Sequence, residues 1–73
     1  MPSAETFPPQ SDIEELIRLG RIGYMRGIED KLTAIDANSA AHRDFVTYMR
    51  VFTDGFDLKR YMAVLEAFRI GHG

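Results

Sequence analysis

Two histidines and no cysteine limit the metal and nucleophile chemistry open to this chain. Without cysteine, disulfides and thiolate metal sites are excluded. His42 and His72 form no His-x-x-x-His or Glu-x-x-His pair, so no helix face presents two ligands at metal-binding spacing. Gly20, Gly23 and Gly27 follow no strand and precede no Lys-Ser/Thr pair, so they do not form a phosphate-cradling loop. His42-Arg43-Asp44 spells the start of a protein-kinase catalytic loop, but the rest of that signature is absent. No catalytic residue, metal or cofactor is expected.

His42 has one sharper reading. An imidazole on a helix of a four-helix domain can accept a phosphoryl group, as in histidine phosphotransfer modules. In those modules lysine and small residues follow the histidine. Here Arg43-Asp44-Phe45-Val46-Thr47 follows, and this departs from the pattern. The plainer reading is a histidine near a helix cap.

Charge narrows the partners. The chain has 73 residues, 9 Lys+Arg and 11 Asp+Glu, for a net charge of −2. That balance argues against general binding to nucleic acid or anionic membrane. Residues 1–36 hold seven acids and four bases, and residues 37–73 hold four acids and five bases. Arg43, Arg50, Lys59, Arg60 and Arg69 could form a mildly basic flank, read first as a solvated face with local ion pairs and second as a surface for an acidic partner. No apolar run is long enough to span a membrane, and no signal peptide is visible. The expected compartment is the cytoplasm.

The elements that must position these residues are helical. All three prolines fall in the first ten residues, which read as a linker or arm over 1–10. A helical domain is expected over 11–70 and a frayed tail over 71–73. Ser11-Asp12-Ile13-Glu14 fits a capping box, and Ile13, Leu16 and Ile17 give an apolar stripe. The spacing predicts a first helix over Asp12–Leu19, stopped by Gly20. A second helix is expected from Arg21 to Ile35 or Asp36, with the stripe Ile22, Met25, Ile28, Leu32 and Ile35. Gly23 and Gly27 would then share one face, open to close approach by a neighbouring helix or another chain. Asp36-Ala37-Asn38-Ser39 reads as a turn. A third helix is expected over Ala40–Thr53, with Phe45, Val46, Tyr48, Met49 and Phe52 inward and Asp54-Gly55 as its stop.

In the fourth helix Asp57 is the cap, and Phe56 and Tyr61 stand at the positions of a hydrophobic staple. Leu58, Tyr61, Met62, Leu65 and Phe68 form its stripe, widened by Val64 and Ile70. The tyrosines and methionines beside the stripes read as core. The apolar positions are generous for four short helices, so some are expected to face a partner. The fold class is all-α, four short helices packed as antiparallel hairpins in a small bundle or repeat-like stack.

The order of residues adds a resemblance. Pro8-Pro9-Gln10, Ile13-Glu14-Glu15-Leu16, Leu19-Gly20, Gly23, Arg26-Gly27-Ile28, Leu32, Ile35-Asp36, Phe45, Phe52, Gly55-Phe56-Asp57-Leu58 and Leu65 follow one another. This series resembles the helical segment after the receiver domain at the C-terminal end of bacterial hybrid sensor histidine kinases. It covers about residues 8 to 68, and its motifs are apolar and structural. The chain departs from the pattern with tyrosine and methionine where alanine or leucine is common.

The resemblance implies a non-catalytic regulatory or interaction module of a two-component signalling protein, whose parent would be a histidine kinase. Its partner would be a receiver or kinase domain of the same or another chain, or a second copy. The contact residues expected are Gly23, Tyr24, Arg26 and Gly27, together with Arg60 and Tyr61 on an exposed part of the last helix. A phosphotransfer module using His42 and a free-standing dimeric adaptor are the alternatives.

Overall fold

The computed structural model describes residues 7–67. The expectations for Phe68, Arg69, Ile70, His72 and the 71–73 tail lie outside these residues, as does most of the 1–10 arm. Four helices follow in order: α1 over Gln10–Arg21, α2 over Met25–Asn38, α3 over Arg43–Asp54 and α4 over Leu58–Ala67. A 3-10 turn, Ala40–His42, leads into α3. There is no strand among the described residues, and the all-α four-helix reading holds.

The first helix starts earlier than the capping box implied. Pro9 is the residue that caps α1, and its carbonyl accepts from the N–H groups of Asp12 at 2.9 Å and Ile13 at 3.2 Å. Ser11 lies inside the first turn and is not the cap. Ahead of it, the Phe7 ring centroid lies 5.0 Å from that of Phe45, and Pro8 is buried. The end of the expected arm is therefore seated on the body.

Gly20 does not stop α1. It lies within the helix, buried, and a Cβ there would sit 2.5 Å from the Met62 sulfur and 2.7 Å from the Tyr61 ring. Its lack of a side chain lets α4 close on α1. The stop is Gly23, at φ 69°. Its N–H donates to the Gly20 carbonyl at 3.1 Å, and the Tyr24 N–H donates to the Leu19 carbonyl at 3.1 Å. That pair of bonds is the Schellman motif, which needs a left-handed residue at this position. The second helix consequently begins at Met25. Ile22 falls in the turn, 63% exposed and off the stripe, and Gly23 shares no helix face with Gly27.

The core follows the helical spacing. Ile13, Leu16 and Ile17 of α1 pack with Ile28, Leu32 and Ile35 of α2, Phe45, Val46 and Met49 of α3, and Tyr61 and Leu65 of α4. Ion pairs mark the helix directions. Glu29 and Thr33 both meet Arg50, and Asp36 meets Arg43, so α2 and α3 run oppositely. Asp12 pairs with Lys31 at 2.8 Å while Leu19 faces Gly27, so α1 and α2 do too.

The last helix packs on both α3 and α1, closing the bundle rather than extending a stack. Leu16 meets Tyr61, Gly20 meets Met62 and Arg21 meets Glu66, so the α1–α4 contacts climb both helices together.

Candidate interaction surface

Among the described residues, the large apolar side chains left exposed are Ile22, Tyr24, Val51 and Phe56. Ile22 and Tyr24 belong to the α1–α2 turn, Val51 to the last turn of α3, and Phe56 to the α3–α4 turn. The two turns meet at one end of the bundle. Between them lies an open groove of about 530 Å³, lined by Met25, Arg26, Glu29, Thr53, Asp54 and Phe56.

Phe56 is the most exposed of the four, at 77%. It also has φ 55°, the left-handed region. Its N–H donates to the Thr53 carbonyl at 3.1 Å, and the Asp57 N–H donates to the Phe52 carbonyl at 2.8 Å. This is a second Schellman motif, with phenylalanine where glycine is the usual occupant. Gly55, expected to end α3, stands one position too early at φ −90°. The hydrophobic staple is absent, because this backbone turns Phe56 outward while Tyr61 points into the core. Asp57 does cap α4: its Oδ1 accepts from the Arg60 N–H at 3.2 Å.

The expected contact residues divide. Tyr24 and Arg26 are exposed, and Arg26 lines the groove. Gly27 serves Tyr24 rather than a partner directly. A Cβ at Gly27 would lie 2.5 Å from the Tyr24 ring, so that ring lies across the first turn of α2. Gly23 supplies the turn. Arg60 is exposed and paired with Asp57, the cap of its own helix.

Tyr61 does not belong to an exposed face. It is fully buried, and its hydroxyl donates to the Leu16 carbonyl at 2.8 Å. Burial pushes its phenol well above the usual range. Its place on the stripe with Leu58, Met62 and Leu65 is the physical reason.

The basic flank resolves mostly into local pairs. Arg43 meets Asp36 at 3.3 Å and Arg60 meets Asp57 at 3.5 Å. Arg50 donates to Thr33 Oγ1 at 2.7 Å and lies 3.8 Å from Glu29. On α1, the hydrogen bond from Arg18 holds the Glu15 carboxyl below its ordinary range. His42 sits at the junction of the 3-10 turn and α3, half-buried, and lines a second cleft with Asp12, Lys31 and Asn38. The ammonium of that cleft is already paired with Asp12.

No group of three or more metal-capable side chains occurs among the described residues. No helix among them is long and apolar enough to cross a membrane.

Ile22, Val51 and Phe56 were not expected as contact residues. The sequence spacing puts Ile22 on a stripe and Phe56 in a staple, and it gives Val51 no role. A signal for Phe56 exists in the sequence. It stands between Gly55 and Asp57 in a connection too short to let its side chain join either stripe. No family model, curated protein or solved structure matches the chain.

Proposed function

We propose that this chain is a non-catalytic protein-interaction domain acting in the cytoplasm, of the kind that follows the receiver in bacterial hybrid sensor histidine kinases. Its working face is the apolar end of the bundle. The observation that carries this reading is Phe56. A left-handed backbone at a residue with a Cβ costs about 1–2 kcal/mol. Leaving a phenyl ring 77% exposed forfeits its burial as well. The left-handed residue closes the turn, but a glycine would do so without strain, whereas covering the Phe56 ring with a partner is worth about 1.5–3 kcal/mol. Backbone strain of this sort clusters where a surface meets something else.

Mechanistically, docking at this end would favour one arrangement of the parent's domains over another, a shift in population without chemistry in the domain itself. The order of apolar residues and turns along the chain supports the hybrid-kinase setting. A receiver domain from a hybrid histidine kinase of the same organism is the probe. Titrated into isotope-labelled protein, it should shift the resonances of Tyr24, Arg26 and Phe56. Phe56→Gly should weaken the interaction by roughly tenfold or more, the loss of one buried aromatic anchor. Shifts confined to other faces, or none with any receiver, would reject the hybrid-kinase setting.

A further inference from the structure

At the opposite end of the bundle, where α1 and α3 begin and α2 ends, a short segment precedes the helices. The Phe7 ring packs on Phe45 of α3, with centroids 5.0 Å apart and planes at 57°. Phe45 and Pro8 are buried, while Phe7 is only half-buried. Pro9 follows at φ −54° and ψ 154°, in the polyproline II region. Its carbonyl accepts the Asp12 and Ile13 N–H groups and so caps α1. Asp12, in that first turn, ion-pairs with Lys31 of α2 at 2.8 Å, and both line the cleft that holds His42.

Pro8 and Pro9 have no backbone N–H, so neither can tie the segment down with a donated hydrogen bond. Packing of the Phe7 and Pro8 side chains does the holding. Two consecutive proline rings also fix φ twice, so the Phe7 ring and the Pro9 carbonyl move together. We propose that Phe7, Pro8 and Pro9 form a strap with two positions. Docked, it covers Phe45 and caps α1. Withdrawn by a pull on the chain ahead of it, it bares Phe45, uncaps Asp12 and Ile13 and loosens the Asp12–Lys31 pair, while the rest of the bundle stays folded. The placement of the preceding chain is thereby converted into order or disorder at one wall of the His42 cleft, a shift in population between two states. The strap lies away from the α1–α2 and α3–α4 turns, so the inference stands apart from the contact face.

Amide hydrogen exchange of the full chain at a series of low urea concentrations tests it. The Asp12 and Ile13 amides should exchange through an opening nearly insensitive to urea, because little surface is exposed. The amides of the core residues Leu32 and Met49 should instead follow global unfolding, with a steep urea dependence. Phe7→Ala should speed exchange at Asp12 and Ile13 by roughly tenfold, as the packing of one half-buried ring is lost. Phe7→Leu keeps most of the apolar bulk and should give back most of the protection. Circular dichroism checks that both variants keep their helices.

Unchanged exchange at Asp12 and Ile13 in Phe7→Ala would show that the cap stands without the ring. A urea slope at those amides equal to that of Leu32 and Met49 would show that the strap leaves only with the whole fold. A Phe7→Ala chain that no longer folds would make the ring part of the core. Any of these results overturns the proposal.

Discussion

The α1–α2 and α3–α4 turns are closed by the same two hydrogen bonds around different residues. In the first, the left-handed position is Gly23, at φ 69°. In the second it is Phe56, at φ 55°, although Gly55 is its immediate neighbour. A glycine one residue later would have closed the second turn without strain. The first turn follows the local rule, so its side chains are explained by folding. The second breaks that rule with a large apolar residue aimed at solvent. Where local preference and native conformation disagree at an exposed site, function is the usual reason. The comparison separates a turn whose residues the fold explains from one whose exposed phenylalanine the fold leaves unexplained.

Substitutions can break that contrast. Gly23→Ala should destabilise the domain by about 1–2 kcal/mol, because the new Cβ must accept a left-handed backbone. Nothing lies within 4 Å of that Cβ, so the cost is conformational and not steric. Urea denaturation followed by circular dichroism reads it directly. A loss near zero would mean that the α1–α2 turn tolerates side chains generally, and Phe56 would lose its distinction.

Gly55→Ala sharpens the contrast from the other side. Gly55 has φ −90°, and a Cβ there would lie 3.6 Å from the Val51 carbonyl oxygen, an ordinary contact. The smaller unfolded-state entropy of alanine should then raise stability by about 0.5 kcal/mol. A thermal melt that falls would show that this glycine carries a conformational duty of its own.

The interior was plain in the sequence, and the helix ends were less so. Ile13, Leu16 and Ile17, the α3 set Phe45, Val46 and Met49, and Leu65 recur at helical spacing and are all buried. Periodicity survives because burial averages over several turns. A helix end depends on one residue's φ, and glycine only biases φ. Gly20 and Gly23 look alike in the sequence, yet the first makes room for Tyr61 and Met62 and the second turns the chain. Gly55 and Phe56 repeat the ambiguity with a different outcome.

At the candidate surface, Tyr24 and Arg26 were singled out as neighbours of a two-glycine face that does not exist; they are exposed because the chain turns at Gly23, and Tyr24 is not part of the core. Tyr61 was misplaced there, although its spacing with Leu65 already pointed it inward. The meeting of the two turns depends on how the helices pack, which local spacing does not encode. Hence the groove, and Asp54 within it, became visible only in the folded chain.

The most direct test of Phe56 as a residue held for contact is Phe56→Gly, measured for stability and association together. Urea unfolding at low protein concentration, where any complex has dissociated, should show the variant about 1 kcal/mol more stable, as relief of left-handed strain outweighs the added unfolded-state entropy. Titration with the receiver domain should show its binding weakened. A variant that is less stable, or that associates as well as the parent, would place Phe56 in the service of the fold and contradict the contact role.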